Sequence, residues 1–291
     1  MQTRKLRNGV EIPYIGYGTV QPLQRFDDEG MKEFHEVFIT ALTTAIECGY
    51  RHIDTAQMYY NEADIGEVVG RGIVPRSELF LTTKLDNRIG TYEDTLRSFD
   101  ESCRKLGTEY LDMFLIHWPN PIHHRDRWQQ RNAECWRAFE KLYEEKRVRA
   151  IGVSNFRPRH FDALQKTANI CPMVDQIRLY PGDASLDNPT LEWCRQNGLL
   201  LEGYSPLGLG GVLKEPKLMA LSGKYAKSPA QLCLKWSVQK GYIPLPKSTT
   251  PERIRANIDI EDFELSAEDM AEMDRLPSVL EDDRDPDTAT W

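Results

Sequence analysis

Four side chains with complementary chemistry lie close to the ends of short apolar segments in the first half of the chain. Asp54, Lys84 and His117 each stand where such a segment ends, and Tyr59 lies five residues after Asp54. If these segments are parallel strands of one barrel, their carboxyl ends meet at one rim, and residues distant in sequence converge there. The pattern indicates a catalytic site rather than solvated turn residues.

A phenol beside an ammonium group can act as a general acid. The reference pKa of tyrosine is about 10, and a nearby ammonium favours the phenolate and lowers that pKa. A carboxylate keeps the lysine charged, because at ~4 Å and an effective dielectric near 20 the pair interacts by about 4 kcal/mol before desolvation. A general acid of this kind can protonate an oxygen atom, as carbonyl reduction requires.

Other reaction classes find less support. The segment Gly152-Val153-Ser154-Asn155 lacks the second glycine of the G-x-S-x-G nucleophile motif. His123 and His124 are adjacent, which does not suit a metal chelate, so we expect two solvated loop residues. The six cysteines are scattered singly, which favours reduced thiols over disulfides or a zinc site. We expect no metal.

Further polar residues stand at the ends of later apolar segments, where the same barrel geometry would bring them to the same rim. They are Ser154, Asn155, Gln176, Tyr204, Ser205, Lys247 and Ser248.

The elements that must position these residues alternate along the chain. Strands are predicted over residues 14–20, 51–55, 79–83, 111–116, 148–153, 173–179, 199–204 and 242–245. Helices are predicted over 32–48, 61–71, 92–106, 129–145, 158–166, 188–197, 217–225, 229–240 and 251–258.

About eight strand–helix units without an internal linker predict one α/β domain over residues 1–291, a (β/α)8 TIM barrel. A doubly wound open sheet is the alternative, but no predicted strand is followed by a G-x-G-x-x-G turn. The glycines of 208–211 lack that spacing and predict a flexible loop. Asn8-Gly9 predicts an N-terminal β-hairpin, and Ser266 opens an extra C-terminal helix that is followed by an acidic tail.

Composition limits the partners of the chain. A net charge of −8 argues against nucleic acid and anionic membranes, and no apolar run is long enough to span a bilayer. The basic N-terminus lacks the apolar core of a signal peptide, so we expect a cytoplasmic protein. We also expect a monomer, with a dimer as the alternative.

Three segments resemble the signatures of the aldo-keto reductase family, and together the resemblance spans nearly the whole chain. They are Gly49-Tyr50-Arg51-His52-Ile53-Asp54-Thr55-Ala56 with the later Tyr59 and Asn61-Glu62, Leu111-Asp112-Met113-Phe114-Leu115-Ile116-His117-Trp118-Pro119, and Ile243-Pro244-Leu245-Pro246-Lys247-Ser248. The resemblance implies a (β/α)8 barrel with an N-terminal hairpin. It also implies NAD(P)H-dependent reduction of aldehydes and ketones without a metal.

The resemblance further implies roles for individual residues. Tyr59 would be the proton donor, Lys84 and Asp54 would tune it, and His117 would orient the substrate carbonyl. Cofactor contacts are implied for the nicotinamide carboxamide (Ser154, Asn155, Gln176), its ring (Tyr204), the rest of the cofactor path (Gly18, Thr19, Ser205, Leu207), the 2′-phosphate (Lys247, Ser248, Thr250, Arg253) and adenine (Asn257). An Arg fork with a Lys point charge suits a phosphate monoester, which favours NADPH (NADP+) over NADH.

The chain departs from the family pattern at several positions. Arg178 and Tyr180 stand where the family commonly has glutamate and histidine, and Ala256 replaces a frequent glutamate near the adenine. Val20 replaces a frequent tryptophan, so we expect a smaller pocket wall there, with Trp118 on the substrate wall or in the core behind it.

Two other functions remain open. One is an NADP(H)-binding, redox-sensing regulatory subunit with little turnover, although the complete set of Asp54, Tyr59, Lys84 and His117 speaks against it. The other is a metal-free aldolase that uses Lys84 as a Schiff-base amine. For the reductase, the expected partner is a small-molecule carbonyl substrate.

Overall fold

The computed structural model describes residues 2–20, 28–187, 189–280 and 285–289. At the amino end, β1 (Thr3–Lys5) and β2 (Glu11–Pro13) pair antiparallel, as predicted. Gly9 in the connecting turn has a φ of 86°, a left-handed conformation that glycine adopts at little cost.

Eight parallel strands follow, each paired with the next in chain order. They are β3 (Tyr17–Gly18), β4 (His52–Asp54), β5 (Phe80–Leu85), β6 (Leu111–Ile116), β7 (Val148–Ser154), β8 (Val174–Arg178), β9 (Leu200–Tyr204) and β10 (Ile243–Leu245). Two backbone hydrogen bonds join the outermost strands: Gly16 N donates to Pro244 O at 3.0 Å, and Gly18 N donates to Pro246 O at 2.9 Å. The sheet therefore curls into a barrel.

Helices connect the strands around the outside. They are α1 (Asp28–Glu47), α2 (Glu62–Gly70), α3 (Tyr92–Lys105), α4 (Trp128–Glu144), α5 (Pro158–Leu164), α6 (Pro189–Gln196), α7 (Pro216–Tyr225), α8 (Pro229–Gln239), α9 (Pro251–Ile258) and α10 (Ala267–Asp274). Strands β5 and β6 are buried along their whole length, as expected for a parallel sheet with both faces covered.

Local sequence explains where several helices begin and end. At the start of α8, Ser228 Oγ accepts a hydrogen bond from Gln231 N, and Gln231 Oε1 accepts one from Ser228 N. This capping box satisfies backbone donors that the first helical turn leaves without partners. Gly198, with a φ of 67°, follows α6 and allows the chain to turn back into β9.

His124, which was expected to be solvated, is buried, with its Nε2 3.0 Å from Arg88 O. Three predicted elements also differ from the observed ones. The first predicted strand is shorter, because only Tyr17 and Gly18 pair with β4, and α1 begins at Asp28 rather than Lys32. The glycine-rich segment is not a flexible loop. It forms 3-10 turns at Gly208–Gly210 and Val212–Lys214, and a Cβ on Gly208 would lie 2.9 Å from Val279 Cγ2.

The extra helix α10 is present, with Ser266 Oγ accepting from Asp269 N as its N-cap. The predicted acidic tail is described only in part, because residues 281–284, 290 and 291 lie outside the described residues. Within the described residues, none of the helices has the length and apolar character needed to cross a membrane.

Candidate active site

Lys84 on β5 and Asp54 at the end of β4 form a buried ion pair. The Lys84 Nζ donates to both Asp54 carboxylate oxygens, at 2.7 and 2.8 Å, and to the Thr55 carbonyl oxygen at 2.9 Å. Burial works to lower the pKa of Lys84, but the charges of Asp54, Tyr59 and Glu202 and the hydrogen bonds to Asp54 outweigh it, so the pKa is raised. Lys84 is therefore a fixed cation.

Tyr59 lies between this cation and His117. It ends a 3-10 turn, Gln57–Tyr59, that follows β4. The Lys84 Nζ lies 5.1 Å from the centroid of the Tyr59 ring, and the His117 ring meets the Tyr59 ring edge-on at 5.7 Å between centroids. Tyr60 has a left-handed φ of 57° and is 71% exposed. The two adjacent tyrosines therefore have different surroundings.

The turn that carries Tyr59 is held by the side chain of Gln57. Its Nε2 donates to Ser98 O at 3.1 Å and to Ser102 Oγ at 2.9 Å, while its Oε1 accepts from Asp86 N at 2.7 Å. These bonds tie the turn to α3 and to the end of β5, so its position is fixed by two neighbouring elements.

His117 follows β6 and is a neutral imidazole. Burial lowers its pKa well below the usual value, and the charges of Lys84 and Arg131 lower it further. Its Nδ1 atom is buried and has no hydrogen-bond partner among the described residues. A neutral imidazole can donate one N–H to a bound molecule while remaining uncharged.

Polar residues from β7, β8 and β9 continue the site. The Gln176 Nε2 donates to Asp54 Oδ2 at 2.8 Å, and Ser154 Oγ donates to Gln176 O at 2.7 Å. The Asn155 Nδ2 donates to His117 O at 3.1 Å, and the Tyr204 hydroxyl donates to Asn155 Oδ1 at 2.8 Å. The groups predicted at these strand ends are thus joined to one another and to the ion pair.

The residues of β3 and β10 border the other side. Thr19 Oγ1 donates to Asp54 O at 2.8 Å, and Tyr17 donates to Ser248 O at 2.6 Å. A Cβ on Gly18 would lie 2.9 Å from Leu245 O, so this contact between β3 and β10 requires glycine. Val20, just beyond, is 51% exposed.

Basic residues cluster around the start of α9. Lys247 is half-buried, and burial lowers its pKa. Within the part of the chain that the structure describes, no ion pair involves Lys247 or Arg253. Ser248 Oγ accepts from Thr250 N at 3.1 Å, and Asn257 is buried on the same helix. An uncompensated ammonium that is partly desolvated favours binding of an anion.

Comparison with known proteins agrees with this arrangement. The model of the Aldo/keto reductase family matches residues 14–277. The chain belongs to the aldo/keto reductase family. The family prediction from the sequence is thus confirmed, and the protein is an oxidoreductase.

Individual relatives cover nearly the whole chain. A 9,11-endoperoxide prostaglandin H2 reductase of Trypanosoma cruzi is 41% identical over 97% of this chain and 94% of its own length. A glyoxal reductase of Bacillus subtilis is also 41% identical, over 94% and 92% of the two chains. The crystal structure of a Bombyx mori aldo-keto reductase in complex with NADP has a TM-score of 0.83 at 32% identity and covers 94% and 92%. The predicted (β/α)8 barrel is confirmed.

The residues that depart from the common aldo/keto reductase pattern have partners of their own. Arg178 Nε donates to the buried Asp183 Oδ2 at 3.0 Å. The Tyr180 hydroxyl lies 3.0 Å from Ser278 Oγ and accepts from Leu280 N at 3.1 Å. Tyr180 therefore ties the segment after α10 to the end of β8. The structure gives no contact that accounts for Ala256.

Two buried ionisable residues near the site were not predicted from the sequence. Arg131 on α4 donates from Nε to Ile89 O at 2.9 Å and from Nη1 to Trp118 O at 3.1 Å. These bonds fix the main chain directly after His117. Trp118 itself is only 6% exposed. The second residue is Glu202 on β9, whose Oε2 accepts from Gln176 Nε2 at 2.8 Å.

Proposed function

We propose that this protein reduces aldehydes or ketones to alcohols with NADPH, with Tyr59 as the proton donor. The observation that carries the proposal is the position of Lys84 Nζ, bonded to Asp54 and 5.1 Å from the centre of the Tyr59 ring. The cation stabilises the phenolate that remains when Tyr59 gives up its proton. Reductases of this family from other organisms, such as the glyoxal reductase, support the same class of reaction.

The other residues of the site would position the reactants. His117, held neutral by burial and by two nearby cations, would donate a hydrogen bond to the substrate carbonyl oxygen. Trp118 and Val20 would line the substrate pocket, and the small side chain of Val20 leaves room for a substituent. The expected substrate is a small-molecule carbonyl compound, and the expected active form is a monomer.

The residues present fit a nicotinamide dinucleotide phosphate. Lys247 is partly buried without an ion pair in the described parts of the chain, and Ser248, Thr250 and Arg253 lie beside it in sequence at the start of α9. These four would hold the 2′-phosphate and Asn257 the adenine, while Gly18, Thr19, Ser205 and Leu207 would line the path between the two ends. Ser154, Asn155 and Gln176 would hold the carboxamide, with Tyr204 against the ring. When bound, the cofactor supplies the hydride.

The proton-donor assignment is tested with Tyr59→Phe, for which Tyr60→Phe is the matched control. General acids contribute about 10²- to 10⁴-fold to such reactions, so Tyr59→Phe should lose turnover by that factor. The affinity for NADPH, followed by fluorescence, should stay at the wild-type value. Full activity in Tyr59→Phe, or loss of activity in Tyr60→Phe instead, would overturn the assignment. A wild-type chain that binds NADPH but turns over no carbonyl from a broad panel would favour the regulatory function.

The cofactor preference is tested with Arg253→Ala, with Arg255→Ala on the same helix as its control. Loss of a charge-assisted bond to phosphate costs about 1.5–3 kcal/mol, or roughly a 10- to 150-fold weaker binding of NADPH. The affinity for NADH should not change, because NADH lacks the 2′-phosphate. Equal losses for both cofactors would contradict the assignment.

The aldolase alternative is disfavoured by the surroundings of Lys84. A Schiff-base lysine must be available as a neutral amine, whereas the Lys84 Nζ donates three short hydrogen bonds and has a raised pKa. Treatment with borohydride and a carbonyl substrate should leave Lys84 unmodified. A covalent adduct at Lys84 would reverse this conclusion.

A further inference from the structure

A second carboxyl group lies beside the Asp54–Lys84 pair, deep in the barrel. The Glu202 side chain is fully buried on β9. Its Oε2 accepts a hydrogen bond from Gln176 Nε2 at 2.8 Å, and the same nitrogen donates to Asp54 Oδ2 at 2.8 Å. Its Oε1 lies 3.7 Å from His52 Nε2 and has no hydrogen-bond partner among the described residues.

We propose that Glu202 is a positioning residue that fixes the orientation of the Gln176 amide and, by gaining or losing one proton, changes the charge beneath the active site. An amide nitrogen carries two hydrogens, and here both are used by the carboxyl groups of Asp54 and Glu202. Of the Gln176 side chain, only the amide oxygen Oε1 is left for a ligand. The Gln176 side chain would therefore act as an acceptor, which suits the NH2 group of a carboxamide. The inference rests on the proposed function.

The charge state of Glu202 follows from the groups that face it. Burial and the charge of Asp54 on β4 raise its pKa, the Gln176 hydrogen bond and the Lys84 charge oppose this, and the net pKa is about 8. His52 on β4 stays neutral, because burial and Lys84 lower its pKa to about 3. The neighbouring β10 (Ile243–Leu245) contributes no titratable side chain.

At neutral pH, Glu202 is therefore protonated, and the charges of Asp54 and Lys84 cancel. Above about pH 8 the carboxyl ionises and the cluster gains one negative charge. This charge lies against the Gln176 amide, which would contact the carboxamide of the cofactor. An anion there stabilises a positively charged nicotinamide ring relative to a neutral one. Ionisation of Glu202 should thus favour NADP+ over NADPH.

The test compares the dissociation constants of NADP+ and NADPH, measured by fluorescence titration between pH 6.5 and 9. The ratio of the two dissociation constants does not depend on the ionisation of the 2′-phosphate, because both cofactors carry this group. In the wild type, the affinity for NADP+ should increase about three- to tenfold relative to the affinity for NADPH as the pH rises. A difference of one unit between the Glu202 pKa values in the two complexes corresponds to a factor of ten in this ratio. Glu202→Gln keeps an acceptor for Gln176 but cannot ionise, so its ratio should not change with pH.

Two further variants separate this role from a general effect of buried carboxyl groups. Asp175→Asn removes another fully buried carboxyl whose pKa is raised by burial. Its ratio of dissociation constants should change with pH as it does in the wild type. Glu202→Leu leaves one Gln176 hydrogen without its acceptor and should weaken NADPH binding at pH 7 by about tenfold. A wild-type ratio independent of pH, a Glu202→Gln profile that matches the wild type, or unchanged NADPH affinity in Glu202→Leu would overturn the inference.

The outcome can be distinguished from failure of the proposed function. If the chain binds both cofactors and reduces no carbonyl, the proposed reaction fails while the binding ratio still tests Glu202. If it reduces carbonyls with a ratio that does not depend on pH, only the role of Glu202 fails.

Discussion

At the scale of single residues, the Lys84 cation and the Asp54 carboxylate depend on each other. Both are buried, and Lys84 donates to both oxygens of Asp54. Lys84→Met should therefore leave an uncompensated buried carboxylate and reduce the free energy of unfolding by about 3–5 kcal/mol. Chemical denaturation measures this change. The double variant Lys84→Met with Asp54→Asn should regain most of the stability but no turnover. A double variant as unstable as the single one would contradict the coupling.

Site residues at strand ends could be predicted from the sequence, whereas buried ionisable residues within helices and strands could not. Asp54, Lys84 and His117 stand out because each ends an apolar segment, and the structure brings all three around Tyr59. Glu202 lies within the apolar run Leu199-Leu200-Leu201-Glu202-Gly203, and Arg131 lies in a polar helix. Which partners surround them depends on tertiary packing. A carboxylate inside a buried strand was the one available signal for Glu202.

At the scale of elements, α2 packs against the end of α3 through Gly66. A Cβ on Gly66 would lie 2.0 Å from the Lys105 carbonyl oxygen, so Gly66→Ala forces the two helices apart. Overpacking of this kind costs about 1–3 kcal/mol or more. Gly70 ends the same helix with nothing within 4 Å of its Cβ position. Gly70→Ala should leave the stability unchanged or raise it by up to ~1 kcal/mol. Thermal denaturation of both variants measures these changes in stability. Equal changes in Gly66→Ala and Gly70→Ala would argue against the close contact between α2 and α3.

Most elements could be predicted because their hydrophobic period and capping residues agree. Helix α9 has the predicted limits, and the predicted α8 differs by one residue at its end. The glycine-rich segment was misjudged, because glycine permits both flexible loops and tight turns. Its 3-10 turns bring Gly208 close to Val279, a contact with a residue far away in sequence that the local pattern does not reveal. The early start of α1 at Asp28 was missed because Met31 is the one apolar side chain between Asp28 and Lys32, too few to show a helical period.

At the scale of the whole molecule, buried titratable groups make stability depend on pH. Burial raises the pKa values of several described carboxyl groups, which include Glu62, Asp175 and Glu202. A carboxyl with a raised pKa binds more protons in the folded chain than in the unfolded chain. The stability that it contributes is complete below the unfolded pKa and is lost as the pH rises through the folded pKa. Burial lowers the pKa values of His52, His117 and His160, which reduces stability as the pH falls through about 6.5, the pKa of histidine in the unfolded chain.

The free energy of unfolding should therefore fall as the pH rises from 7.5 to 9, where these histidines are almost entirely neutral in both states. With a folded pKa of about 8, Glu202 alone should account for roughly 0.8 kcal/mol of that fall. Denaturant titrations at both pH values should show a smaller fall in Glu202→Gln than in the wild type. The exposed Glu101→Gln is the control, because Arg104 holds the pKa of Glu101 below its usual range and this group does not titrate in the window. Parallel falls in the wild type and Glu202→Gln would mean that Glu202 is already ionised in the folded chain at pH 7.5.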